Sequence, residues 1–280
     1  MLAPDLDRIP LASEELNRAM DSDELVMLYQ PKVECGSRRV AGAEAMIRWQ
    51  HPQRGLLAPS HFIELAEQAG LIHRLGRWVL NRACTQLREW HHSGNPEWSI
   101  AVNISPMQLL HPDFCGQVRD ALRRNNTPVE KLTLDVAESC LMSPINGGCG
   151  ALTDLFADGV QIAIKNFGTC LPSIARIKRL PVNEMKIDRV FVAEVDINPV
   201  DSDIVSSIVT LGAILGLRVV AEGVDRPEQL RTIELLACDQ SQGLLHAPPI
   251  SGSLFQHRFG LKAGTFAAGD SQVVKEMAFR

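Results

Sequence analysis

The sequence predicts a single α/β domain folded as a closed (β/α) barrel of the TIM type. Three observations carry that expectation. From Leu25 onward, short apolar and β-branched runs alternate with stretches of helical periodicity. About eight such runs, with helices between them, suit a closed barrel. The runs also end in polar side chains, as barrel strands do where they reach a functional face. An open doubly wound sheet is the alternative, but no GxGxxG opens any helix.

Taken in order, residues 1–22 are polar and acidic, and SEELNRAMDSDEL reads as a short helical lead-in. That composition resembles an inter-domain linker and leaves room for a sensory domain upstream. The barrel is expected over 23–260. ELVMLYQP and RVAGAEAMIRW read as two strands joined by a turn at Cys35-Gly36-Ser37. Helical periodicity follows over Pro59 to Ala69, with Ser60 as its cap, and over Leu71 to Trp90. WSIAVNIS, KLTLDVAE, VQIAIKNFG, EMKIDRVF, LRVVAEGVD and SQGLLH read as the remaining strands. Helices are expected over Phe114 to Arg124, Asp201 to Leu215 and Pro227 to Leu236. Residues 261–280 turn small and polar and read as a tail.

The bulk composition excludes several classes. Of the 280 residues, 45% are hydrophobic and 22% charged, which suits a protein with a real core. A net charge of −5 gives no basic footprint for nucleic acid. Apolar runs are broken well short of the ~18 residues a membrane span requires, and the acidic N-terminus is unlike a signal peptide. Seven scattered cysteines without a CxxC pair read as reduced thiols in a cytoplasmic protein. His51, His61, His73 and the His91-His92 pair read as surface or loop residues, and Cys170 has no placed base, so nucleophilic catalysis finds no support.

The strand ends supply Glu44, Asn103, Asp135, Lys165, Asn166, Lys186, Asp188, Glu222 and Gln242. Any one of them could be a solvated residue or a helix cap. Together they would ring one mouth. Alternation puts Glu44, Met46 and Arg48 on one face of their strand, which sets a guanidinium beside a carboxylate.

These residues also carry a resemblance. YQP, GAEAMIRW, HPQRGLLAPSHFIELAEQAGLI, LGRWVL, AVNIS, LPVNEMKIDRVFV, GLRVVAEGVD and QGLL resemble, in order and spacing, the EAL domain family. That family comprises bacterial cyclic di-GMP phosphodiesterases and their inactive relatives. The resemblance implies a modified (β/α)8 TIM-type barrel in which Glu44, Asn103 and Asp135 match metal ligands and Lys186 lies near the attacking water. Glu222 and Gln242 complete the site. Gln30, Met46 and Arg48 match positions that hold guanine and phosphate. Active members use two Mg²⁺ or Mn²⁺ ions.

This chain departs from the pattern where the chemistry is most demanding. Active members end one strand in Asp-Asp-Phe-Gly, and here the residues are Lys165-Asn166-Phe167-Gly168. An ammonium offers three donors and no acceptor, whereas hard divalent ions need anionic oxygen. Leu134-Asp135-Val136-Ala137-Glu138 stands for Leu-Glu-Ile-Thr-Glu, one ligand being a methylene shorter. The loop Gly168-Thr169-Cys170-Leu171-Pro172-Ser173 replaces Gly-Thr-Gly-Tyr-Ser-Ser, which in the family links the site to a dimer partner. The resulting expectation is a catalytically degenerate domain that needs no metal cofactor. It would regulate by binding cyclic di-GMP, a protein partner or both, and is compatible with a homodimer. The alternative is an active phosphodiesterase that uses Mg²⁺ or Mn²⁺.

Overall fold

The computed structural model describes residues 11–142, 148–170 and 174–260. Its nine strands are β1 (Leu25–Glu34), β2 (Val40–His51), β3 (Gly55–Leu57), β4 (Ser99–Ile104), β5 (Leu132–Ala137), β6 (Gln161–Phe167), β7 (Glu184–Ile187), β8 (Arg218–Glu222) and β9 (Gln240–Gln242). Eight of them close a ring in the order β1-β9-β8-β7-β6-β5-β4-β2 and back to β1, while β3 hangs on the outer edge of β2. β1 runs antiparallel to both of its neighbours and the other ring pairings are parallel. Expectation and structure therefore agree on an α/β barrel.

The apolar runs became strands because both faces of each are covered. Ile100, Val102, Leu134, Ile162, Ile164, Met185 and Ile187 are all buried against the surrounding helices or the barrel interior. The long helix Ile72–His92 turns Leu75, Leu80, Ala83, Leu87 and Trp90 to the core, the spacing of an amphipathic face. The helix Pro199–Leu215 starts on Pro199 behind the Asn198 side-chain cap and stops at Gly216, whose φ of 69° suits glycine.

Several expectations need correction. The helix expected over Pro59 to Ala69 is a 3-10 turn, Pro59–His61, followed by a separate helix, Ile63–Gln68. Phe62 breaks it with φ −139° because its side chain is drawn fully into the core, so Ser60 is not the cap. His51 is not a surface residue. It ends β2 buried, with Nδ1 accepting from the amides of Gln53 and Arg54. Within the lead-in, helix Ser13–Ala19 buries Leu16 and Ala19 in the core. The 261–280 tail and Leu171-Pro172-Ser173 lie outside the described residues. Among the described residues no helix is long and apolar enough to cross a membrane.

Candidate functional site

The barrel interior is stacked in charged layers. At the end where β7 begins, Lys32 Nζ donates to both Glu184 oxygens at 2.9 and 3.0 Å, and Arg218 pairs with the same carboxylate at 3.3 Å. Alternation along β7 then brings Lys186, two residues on, to the same interior. Its Nζ donates to Asp135 Oδ2 and to Glu44 Oε2, the latter at 3.1 Å, and lies 3.5 Å from Glu222 Oε1.

Glu44 sits at the centre of the next layer. It is not at a strand end, because β2 runs on to His51 and pairs there with β1 and β3. Gln30 stands opposite it on β1, and Ala101 on β4. Glu44 Oε1 accepts from Lys165 at 2.8 Å and Asn103 at 2.7 Å, and Oε2 accepts from Lys186 at 3.1 Å and Gln242 at 2.9 Å. Gln242 Nε2 also reaches Gln30 Oε1 at 3.0 Å, and Gln30 donates to Ala247 O at 3.2 Å. Asn103 is held at both ends of its amide, since Oδ1 accepts from Lys165 at 2.9 Å. Lys165 Nζ is 4.0 Å from Glu222 Oε1.

The electrostatics follow from this packing. Burial alone would raise the Glu44 carboxyl, but Lys165, Lys186 and its hydrogen bonds outweigh it and hold the group well below the usual range. Asp135 is equally buried but has fewer donors, and its Oδ1 has no hydrogen-bond partner. Burial wins there and pushes it up to about 6 despite Lys186. Burial opposes the charge of Lys186 and of Lys165. Asp135 and Glu44 around the first, and Glu44 and Glu222 around the second, keep both ammonium groups charged.

Not every expected residue joins this cluster. Asn166 adopts φ 58°, a left-handed conformation that Asn tolerates, and turns its amide to Asp188 Oδ2 at 2.6 Å. Asp188 Oδ1 accepts from the Val190 amide and caps helix Arg189–Val192. Arg48 and Met46 line a cavity of about 510 Å³ beside the mouth, walled by Ile63, Leu75, Val79 and Val102. Arg48 donates to Ile47 O at 2.9 Å.

Two residues went unassigned by sequence reasoning. Glu67 lines the same cavity and accepts from Ser105 Oγ at 2.5 Å. Glu138 is buried, and its Oε2 accepts from the amides of Gly168 at 3.1 Å and Cys170 at 3.0 Å, tethering the loop after β6. The spacing Asp135-x-x-Glu138 at a strand end was its only signal.

The donor set does not suit a pair of divalent cations. Both oxygens of Glu44 already accept two hydrogen bonds each, which uses the lone pairs that a metal would need. The position between Glu44 and Asn103 holds an ammonium group.

Comparison with known proteins now gives the family. Residues 13–249 match the EAL domain, and the chain belongs to that family. It is 42% identical over 236 residues to the bifunctional diguanylate cyclase/cyclic di-GMP phosphodiesterase MucR of Pseudomonas aeruginosa, covering 84% of this chain and 34% of that protein. It is 38% identical over 237 residues to the cyclic di-GMP phosphodiesterase NbdA of the same organism, covering 85% and 30%. The chain thus spans about a third of the length of these curated relatives. Among solved structures it is similar to the PaMucR phosphodiesterase in its c-di-GMP complex, with TM-score 0.83 and 41% identity over 86% of this chain and 98% of that one. The EAL enzyme Bd1971, in a form with cAMP and cyclic-di-GMP bound, gives TM-score 0.83 at 27% identity, covering 88% and 67%.

Proposed function

We propose that this chain is a catalytically degenerate EAL domain that regulates cyclic di-GMP signalling by binding without hydrolysis. The observation that carries the reading is the Lys165 ammonium group, hydrogen-bonded between Glu44 and Asn103. A two-metal phosphodiesterase clamps the attacking and leaving oxygens between its ions and depends on anionic ligands to hold them together. Here a fixed cation supplies the charge that balances Glu44, and no hydrolytic step is assigned.

The chain's own residues still form a receptor for an anionic dinucleotide. Arg48 offers a guanidinium fork for a phosphate at the rim of the cavity. Met46 and the apolar wall give a base a face to pack on, with Gln30 held in register by Gln242. Such binding requires no divalent ion and leaves the ligand intact for a regulatory protein partner to sense.

The competing reading is an active Mg²⁺- or Mn²⁺-dependent phosphodiesterase. Its support is the convergence of Glu44, Asn103, Lys186, Glu222 and Gln242 in one mouth, and two relatives named as phosphodiesterases. Pure protein incubated with cyclic di-GMP and Mn²⁺ separates the two. The expected result is unchanged cyclic dinucleotide and calorimetric binding that persists in EDTA. Metal-dependent appearance of the linear dinucleotide would overturn the proposal.

A further inference from the structure

Cys35 and Cys238 meet at the seam where the barrel closes. Cys35 is the residue immediately after β1, Cys238 lies just before β9, and the two strands pair antiparallel through Glu34 and Gln240. The Cys35 amide donates to Asp239 O at 3.0 Å, holding the turn against the start of β9. The Cys238 thiol and the Ser241 hydroxyl both face the Cys35 thiol. Ser241 Oγ in turn lies 2.8 Å from His246 Nε2. Cys238 Sγ also reaches Val219 O at 3.3 Å and Gln240 O at 3.4 Å.

Cys35 differs chemically from other cysteines of the chain. The Cys84 thiol is pushed up to about 11 by burial, and burial raises Cys115 and Cys140 too. At Cys35 the bonds from Cys238 and Ser241 outweigh burial and lower it. A thiol lowered in this way and faced by a second sulfur is set up for disulfide chemistry. Cys35 is 6% exposed, and it opens a turn whose next residues, Gly36 and Ser37, are exposed to solvent.

We propose that Cys35 and Cys238 are a peroxide-oxidisable dithiol whose disulfide locks β1 to β9. The Cys35 thiolate attacks one oxygen of hydrogen peroxide and the O–O bond breaks. The departing hydroxide takes up the Cys35 proton and leaves as water, with a sulfenic acid on Cys35. The Cys238 sulfur then attacks Cys35 Sγ, the S–O bond breaks, and that hydroxide leaves as water with the Cys238 proton. Two thiols and one peroxide give one disulfide and two waters. The lock bears on the mouth, because β1 also carries Gln30 and β9 carries Gln242, which hydrogen-bond each other across the same seam.

The test uses the reduced protein, treated with hydrogen peroxide, blocked with an alkylating agent and digested without reductant. Mass spectrometry is expected to find the Cys35 and Cys238 peptides joined, two hydrogens lighter than their sum, as the main disulfide species. The melting temperature is expected to rise by about 5–10 °C, because the bridge closes a long loop, and to fall back with dithiothreitol. Cys35→Ser and Cys238→Ser should each lose the link and the shift. Recovery of both thiols alkylated while other cysteines oxidise, or a main link elsewhere, would overturn the proposal. The peptide measurement on the unaltered protein decides the matter even where a serine variant does not fold.

Discussion

Replacing Lys165 with aspartate is expected to raise the affinity of this site for a divalent metal well above that of the native chain. A cation using Glu44 Oε1 and Asn103 Oδ1 would take the place of Lys165 Nζ, which now lies 2.8 and 2.9 Å from those atoms. With Lys165 displaced but still charged, an ammonium ~4 Å from a divalent ion opposes it by roughly 8 kcal/mol at an effective dielectric of about 20. The side chain is 23% exposed, so water screens part of that. Halved, the opposition is still about 4 kcal/mol, roughly a thousandfold in affinity. Aspartate reverses its sign and adds two acceptor oxygens. Glu44 keeps its bonds from Asn103, Lys186 and Gln242, so the substitution orphans no buried carboxylate.

The second position behaves differently. Asn166 now donates to Asp188 at 2.6 Å, so Asn166→Asp sets two carboxylates against each other. The Lys165→Asp, Asn166→Asp variant is therefore expected to melt below Lys165→Asp alone in EDTA, and to gain more from Mn²⁺. The assay is thermal unfolding across a Mn²⁺ titration, with cyclic di-GMP turnover read in parallel. Saturation at about a hundred times Kd should add about 2.7 kcal/mol, a shift of roughly 5 °C. Hydrolysis should stay weak, because Asp135 is one methylene short of the family's residue and its Oδ2 is engaged by Lys186. Folded variants without a metal-induced shift, or an equal shift in the native chain, would refute this account of Lys165.

Three further outcomes are expected. Arg48→Ala should weaken cyclic di-GMP binding by roughly 1.5–3 kcal/mol, about ten- to a hundredfold, with little change in melting temperature; equal affinity by calorimetry would remove Arg48 from the binding surface. Asp135 should titrate near pH 6 in carboxyl carbon NMR. Because its folded-state value is raised above the ordinary 3.8, its contribution to stability is full below about pH 4 and is lost as pH rises through 6. An Asp135 resonance already ionised at pH 4 would contradict the burial argument. Glu138→Ala should cost about 1–3 kcal/mol and speed hydrogen exchange at the Gly168 and Cys170 amides, which lose their acceptor. Unchanged protection at both amides would show that something else holds that loop.

Much of the barrel was legible because its signal is local. Runs such as Val160 to Ile164 and Leu132 to Val136 are too apolar and β-branched to sit at a surface. Their polar ends could be counted along the chain, and most of those residues meet in one mouth. Less legible was whatever depends on a partner distant in sequence. Lys32 drew no expectation from the sequence, yet it is 2% exposed, because Glu184 lies across the barrel from it. His51 gave no sign that two backbone amides would claim its ring. β3 is three residues long and pairs only with β2, so it left no periodic signal. Phe62 broke a helix that periodicity alone continued, because its side chain had a place in the core.

The layers of the interior suggest why the Lys165 substitution is tolerated by the fold. Removing carboxylates from water is costly unless each is paired, protonated or metal-bound. Glu184 is paired by Lys32 and Arg218. Glu44, Asp135 and Glu222 all fall within reach of Lys186, so one ammonium serves three acids. A single cation cannot balance three anions, and an Asp-Asp sequence at the end of β6 would add two more. That arrangement makes bound cations or bound protons part of the balance. Lys165 changes the sum: two ammonium groups face three acids, and the raised carboxyl of Asp135 takes up part of the remainder as a proton near pH 6. The interior is then close to neutral with nothing bound. A mouth balanced in this way leaves a bound metal less negative charge to offset, and Arg48, which lines the adjoining cavity, is where the proposed anionic ligand would be met.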